Sequence, residues 1–284
     1  MKTIKLILAS IILSMGATSC SKEDDSPIIE ENPMAQFNMV SQMEANGHTV
    51  ELYADGEGFT TGYNEIYIRI KDNDRETYFA NPKITWTPMM YMQAMMHTGP
   101  KSLLGATENN TVLKGYLVFQ MAGNEDEYWD LTLNYKVEGT EYTVKKNIDV
   151  NHPTDGKQKV TTFTGSDNVK YVLAMVSPQK PKEGLNNMAA VLYKMESMKE
   201  FSLVENYTIT LDPRMTSMGN HGSPNNKDLT YDATSQMYQG QLSLSMTGYW
   251  KLNLKVLNES GELLKGEDVT EENEASSLYF ELEF

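Results

Sequence analysis

Twice along the chain, a stretch bearing methionines, one histidine and a proline runs into two segments of alternating apolar residues, and that repeat leaves few folds open. The later copy covers residues 211–256. It begins Leu-Asp-Pro-Arg-Met-Thr-Ser-Met-Gly-Asn-His-Gly-Ser-Pro, which puts Met215, Met218 and His221 in a Gly- and Pro-bearing loop. Leu242, Leu244 and Met246 then share one face of a strand, and after Thr247 and Gly248 the residues Trp250, Leu252, Leu254 and Val256 alternate again. The two runs read as a hairpin closed by Met246 and Trp250. The earlier copy, residues 86–137, supplies Pro88, Met90, Met92, Met95, Met96, His97 and Pro100. Leu117, Phe119 and Met121 follow, then a longer turn at residues 123–127, and then Trp129, Leu131, Leu133, Tyr135 and Val137. His97 and Pro100 keep the spacing of His221 and Pro224, and the His97–Met121 and His221–Met246 separations differ by one residue. Two tandem domains of one type are expected.

The N-terminus carries Lys2 and Lys5, then a mostly apolar run over residues 6–15 and small residues before Cys20. That pattern reads as a signal peptide over residues 1–19, too short to span a bilayer. Its ending, Gly-Ala-Thr-Ser-Cys, resembles a bacterial lipobox, and Cys20 is the only cysteine of the chain. A lone thiol at the cleavage point is best explained as a lipidated anchor, since it allows neither a disulfide framework nor a Cys-x2-Cys redox or zinc motif. Residues 20–33 form an acidic, polar stretch that reads as a flexible tether. An acidic run behind the lipidated cysteine also resembles the export signal of surface lipoproteins in Bacteroidetes-type bacteria. The expected location is therefore the outer membrane, facing the periplasm or the cell surface.

With 40% apolar residues the chain has enough material for two ordinary cores. Its formal net charge of -15 repels nucleic acid and leaves cations as the more natural small partners, although the same charge serves solubility alone. Domain one is expected over residues 34–151. Its strands include residues 48–54, with Val50 and Leu52 inward, and residues 63–71, with Ile66, Ile68 and Ile70 on one face. Asp72, Asp74 and Glu76 read as a turn rather than a calcium loop, which needs more ligands. Residues 152–156 mark the boundary, and domain two, residues 152–284, repeats the order, with Gly184 in the part of Gly62. About seven short strands per domain, with turns every eight to twelve residues and no sustained helical period, predict an all-β chain of two tandem immunoglobulin-like β-sandwiches.

The segment Met-x2-Met-x2-His-Gly, the Tyr-x-Gly-x-Leu strand at residues 238–242, a Met, a Gly and the Gly-Tyr-Trp-x-Leu-x-Leu strand at residues 248–254 resemble the YtkA-like domain, related to FixH-type proteins. The resemblance covers about 120 residues of domain two and, more weakly, domain one, which lacks a glycine after His97. It implies an immunoglobulin-type sandwich of the bacterial envelope, in a family several of whose members occur with copper handling or cytochrome oxidase assembly.

The residues carry their own argument for copper. Thioethers are soft, neutral ligands that select Cu(I), and imidazole adds a stronger nitrogen donor. The candidate ligands are Met215, Met218, His221 and Met246 in domain two, and Met92, Met95 or Met96, His97 and Met121 in domain one. The 19 methionines exceed ordinary usage and concentrate where these histidines are. Packing is the competing explanation: by strand parity Met121 and Met246 face a core, and the loop methionines fit a packed loop equally well. Met188, Met195 and Met198 have no histidine near them in sequence and read as packing, and His48 and His152 receive no role. No hydrolase, metalloprotease, phosphate-loop or haem-attachment motif is present, so no enzyme is expected. Two functions remain in view. One is an envelope lipoprotein that sequesters or transfers Cu(I); the other is a structural or interaction lipoprotein that displays its loops to an envelope protein or a glycan.

Overall fold

Short alternating runs separated by turn residues give a molecule that is nearly all strand. The computed structural model describes residues 32–284; Cys20, the signal peptide and most of the tether lie outside them. The first half contains β1 (Asn38–Ala45), β2 (His48–Ala54), β3 (Phe59–Thr60), β4 (Gly62–Asp72), β5 (Thr77–Tyr78), β6 (Lys83–Tyr91), β7 (Met96–Thr98), β8 (Gly105–Ala106), β9 (Leu113–Phe119), β10 (Tyr128–Val137), β11 (Thr140–Ile148) and β12 (Val150–Asn151). One sheet runs β1-β2-β4-β9-β8, with β5 on the far end of β4, and the facing sheet runs β11-β10-β6-β7. Ile66, Ile68 and Ile70 of β4 point into the space between the sheets, where Leu117, Phe119, Trp129, Leu131 and Leu133 meet them.

The second half repeats this order. Its strands are β13 (Val160–Thr164), β14 (Lys170–Ser177), β15 (Gly184–Ser197), β16 (Glu200–Leu203), β17 (Thr208–Met215), β18 (His221–Gly222), β19 (Lys227–Asp232), β20 (Met237–Leu244), β21 (Tyr249–Leu257), β22 (Leu263–Lys265) and β23 (Tyr279–Glu283). The path β13-β14-β15-β20-β19 matches β1-β2-β4-β9-β8, and β17, β21 and β18 take the places of β6, β10 and β7. Two differences are local. Strand β19 pairs with β20 and also with Thr208 and Ile209 of β17, so one edge of the sandwich is closed like a barrel. The partner of β21 is split into β22 and β23 by an inserted loop, residues 266–278, where the first half has the unbroken β11.

The expected hairpins do not form. Strands β9 and β10 belong to different sheets, and β20 and β21, though part of one continuous sheet, are separated in it by β19 and β17, so the turns after Met121 and Met246 join strands that are not hydrogen-bonded neighbours. Alternation records which face of a strand is buried, and both strands bury a face in the same core; it carries no record of the hydrogen-bonded neighbour. Several strands also run further than expected. β15 occupies 14 residues, and β17 extends to Met215, which therefore ends a strand rather than sitting in a loop.

No strand of one half pairs with a strand of the other among the described residues, yet the halves are packed firmly together. Residues Pro33–Phe284 form one compact unit. The outer faces of β4 and β9 meet those of β14 and β15 in an apolar layer of Tyr116, Val118, Val172, Ala174, Val191 and Tyr193. At its centre the hydroxyls of Tyr116 and Tyr193 are 2.7 Å apart, which satisfies two polar groups that burial would otherwise strand. Burial raises both phenols above the usual tyrosine range.

Candidate functional site

Strand parity sends Ile84, Trp86, Pro88 and Met90 of β6 toward the first core, and Met90 is completely buried. A tight turn follows, in which the Met92 N–H donates to the Met95 carbonyl at 2.9 Å, and β7 returns along β6. The register sets His97 directly opposite Met90 and Met96 opposite Tyr91. His97 is 9% exposed, with its ring edge-on to Trp129 at 5.6 Å and 89°. Trp129 is the cross-strand partner of Met90 on the other side and donates its indole N–H to the Met121 carbonyl at 3.0 Å. Met92 and Met121 pack, half-buried, against this same core. Met95 and Met96 face outward and are 52% and 46% exposed.

The His97 ring has a defined tautomer. Its Nδ1 lies 2.8 Å from the Thr98 carbonyl oxygen, which can only accept. The proton of the neutral ring is therefore on Nδ1, and Nε2 carries the lone pair. Gln120 Nε2 donates to the same carbonyl at 3.3 Å.

The second half builds the same frame. Ile209, Leu211, Pro213 and Met215 of β17 repeat the Ile84, Trp86, Pro88 and Met90 positions, and Met215 is buried. A 3-10 turn, Thr216–Met218, ends in Gly219 and Asn220, both left-handed, and β18 brings His221 opposite Met215. The Met215 methyl lies 3.2 Å from where a side chain on Gly248 would begin. Trp250 donates its indole N–H to the Met246 carbonyl at 3.0 Å, as Trp129 does to Met121. The Gly248 N–H reaches the Phe284 carbonyl at 2.9 Å, and Gly123 reaches Val150 at the same distance. Met246 is half-buried on the second core. His221 is exposed, however, and Met218 is 57% exposed.

Of the expected ligands, the structure thus sets His97 against Trp129, packs Met92 and Met121 at the edge of the same core, and leaves Met95 and Met96 on the outer side of that hairpin. In the second half Met215 and Met246 are packed near Gly248 and Trp250, while Met218 and His221 face solvent. Two residues escaped the sequence reading. Met90 was legible, because Ile84-Thr85-x-x-Pro88-x-Met90 matches Ile209-Thr210-x-x-Pro213-x-Met215. Met198 was not: its carbonyl accepts the Thr98 N–H at 2.9 Å from the other half of the molecule. Met188, by contrast, is core. Among the described residues no group of three or more His, Cys, Asp or Glu side chains is placed to hold a metal ion.

No family model and no curated protein matches this chain. Among solved structures it is similar to the crystal structure of a DUF4785 family protein from Legionella pneumophila, at 9% identity and a TM-score of 0.25. The alignment covers 78% of this chain and 56% of that one, so the chain spans little more than half of that neighbour's length. A likeness at that TM-score carries no argument about fold or function.

Proposed function

We propose that this chain is a cell-envelope lipoprotein of two immunoglobulin-like sandwiches, anchored to the outer membrane through Cys20, whose first half binds Cu(I) for sequestration or transfer. The fold reading is supported by strand order: β2-β4-β9-β8 against β11-β10-β6-β7 corresponds to the A-B-E-D and G-F-C-C′ sheets of an immunoglobulin-type sandwich, preceded by one extra strand. The kinship with YtkA-like domains rests on the quoted motifs alone.

The observation that carries the metal reading is the His97 Nδ1 contact to the Thr98 carbonyl. Metal-bound imidazoles usually donate their other N–H to a carbonyl or carboxylate, which fixes the ring and raises its basicity. Here that partner is in place, Nε2 keeps its lone pair, and thioethers are offered by Met90, directly opposite His97, and by Met92 and Met121, which pack against the same core. A set of one imidazole and neutral sulfurs suits Cu(I) and binds hard cations poorly. In this reading the half-exposed Met95 and Met96 are the first soft contacts for an incoming ion. Met215, Met218, His221 and Met246 form a more open and weaker counterpart.

Anaerobic Cu(I) titration of residues 33–284 against a chromophoric chelator tests this. The expected result is one tight equivalent, lost in His97→Ala, and one weaker equivalent, lost in His221→Ala. Failure of the protein to compete for Cu(I) at all would sink the reading.

A specific observation favours the second reading, an interaction lipoprotein. A groove of about 770 Å³ lies on the outer face of the first half, between Met34 and Phe37 on one wall and Ala106 to Val112 on the other. Phe37 stacks on Tyr67 at 4.2 Å within it, and Gln36, Glu108, Asn109 and Lys114 supply a polar rim. Aromatic walls with a few polar groups suit a peptide or glycan. Saturable binding of an envelope protein or oligosaccharide, abolished by Tyr67→Ala and unaffected by His97→Ala, is what this reading expects.

A further inference from the structure

The His97 site is not built by the first half alone, and this inference rests on the Cu(I) reading of that site. Strand β7 is the edge of its sheet, and the outward N–H of Thr98 is taken by the carbonyl of Met198, in the turn between β15 and β16 of the second half, at 2.9 Å. The carbonyl of the same residue, in the next peptide unit, accepts from His97 Nδ1 at 2.8 Å and Gln120 Nε2 at 3.3 Å. One residue, through the two peptide units that flank its Cα, therefore couples the docked turn to the ring orientation. Gly99, next in line, admits no side chain, because a Cβ there would stand 2.5 Å from the Val118 carbonyl and 3.3 Å from Gln120 Oε1. The segment is consequently held on both sides: the first core behind it and the second half in front.

Met198 is 37% exposed, at the rim of the contact and outside both cores. An unbranched side chain with three rotatable bonds, rooted where the Met198 carbonyl meets the Thr98 N–H, is free to swing toward the His97 segment. We infer that Met198 belongs to the first-half site as an added soft donor, so that Cu(I) is held across the seam between the halves and its binding stiffens their contact. This departs from a one-site-per-domain arrangement, in which each half carries all its own ligands. Among the described residues no backbone hydrogen bond from the first half reaches His221, and that ring is exposed.

Methionine-methyl NMR on residues 33–284, with Met198→Leu used to assign its signal, tests the inference. On addition of one equivalent of Cu(I), the Met198 methyl is expected to shift together with those of Met92 and Met121, and Met198→Leu to weaken binding about tenfold. Movement of the Met92 and Met121 signals with Met198 unmoved, and affinity unchanged in Met198→Leu, would overturn the shared site while leaving the copper reading intact. No methyl shift anywhere, with no competition for Cu(I), would overturn both.

Discussion

Asn64 and Asn186 make the same three hydrogen bonds. Asn64 Oδ1 accepts the Thr60 N–H at 3.0 Å while its Nδ2 donates to the carbonyls of Thr60 at 2.7 Å and Gly62 at 2.9 Å. Asn186 does the same with Lys182 at 3.0 and 2.7 Å and with Gly184 at 3.1 Å. Both amides are buried at the start of a long strand, just after a glycine with φ of 103° or 92° that only a residue without a Cβ adopts freely. Each side chain thereby satisfies the peptide groups of the bend that aims β4 or β15 into its sheet. Replacing either asparagine with alanine is expected to cost about 1–3 kcal/mol, the penalty for leaving buried peptide groups unpaired. Urea unfolding reads the loss, and a change below about 0.5 kcal/mol, the scatter of ordinary surface substitutions, would show the clamp to be dispensable.

Gly115 and Gly240 occupy matching places in β9 and β20 but differ in what they face. A Cβ on Gly115 would meet side-chain atoms of Trp86, Ser102 and Leu104 at 2.9 Å, whereas one on Gly240 would stand 2.6 Å from the Lys227 carbonyl and 3.0 Å from that of Asp228. Side chains can yield and a paired strand cannot. Gly240→Ala is therefore expected to destabilise by the upper end of about 1–3 kcal/mol and Gly115→Ala by the lower end. The order of the two unfolding midpoints decides the matter.

The seam between the halves is apolar apart from its tyrosine hydroxyls, so burying a carboxylate inside it is costly. Val191→Asp is expected to separate the halves while each keeps its own core, because Val191 contributes to the seam cluster and to neither sandwich interior. Small-angle scattering should report a larger radius of gyration with the β-sheet circular dichroism unchanged. An unaltered radius would mean the halves are held by contacts other than this layer.

Acid should open the inserted loop. Glu267 accepts the Ser277 N–H at 2.6 Å and the Ser277 hydroxyl at 2.9 Å, and the Ser277 backbone bond, as the leading cause, holds its carboxyl below the usual glutamate range. A carboxylate with a depressed folded pKa contributes stability that is complete above the unfolded value, about 4.3, and is lost as pH falls through the folded one. The Ser277 amide resonance is expected to move as pH drops below about 4. In Glu267→Gln that titration should vanish; its persistence would place the pH response elsewhere.

Much of this architecture could be read from residues. Strand β2 begins at His48 and ends at Ala54 as its alternation requires, and Ile66, Ile68 and Ile70 face inward. What alternation lacks is neighbour identity, so Leu242 and Trp250, which share a core, looked like hairpin partners. The run Tyr171-Val172-Leu173-Ala174-Met175-Val176 is apolar on both faces because one face serves the second sandwich and the other the seam. That doubled burial is visible in the sequence, although its partner, Tyr116 and Val118 of the other half, is not. The two histidines teach the same lesson at the site. Their local surroundings match, but His97 is covered and His221 open, and the turn at Met198 that meets the first segment lies far off in sequence.

The seam of Tyr116, Val118, Val172, Ala174, Val191 and Tyr193 also bears on how such a chain evolves. Repeated modules strung on a linker can be lost, gained or exchanged singly. Here the removal of one copy would leave the other with a bare apolar sheet, a surface prone to aggregation. The copies must therefore drift as a pair, matching volume for volume across the joint. Beyond the one edge where the Thr98 N–H meets the Met198 carbonyl, their outer strands are under no such bond and can diverge on their own.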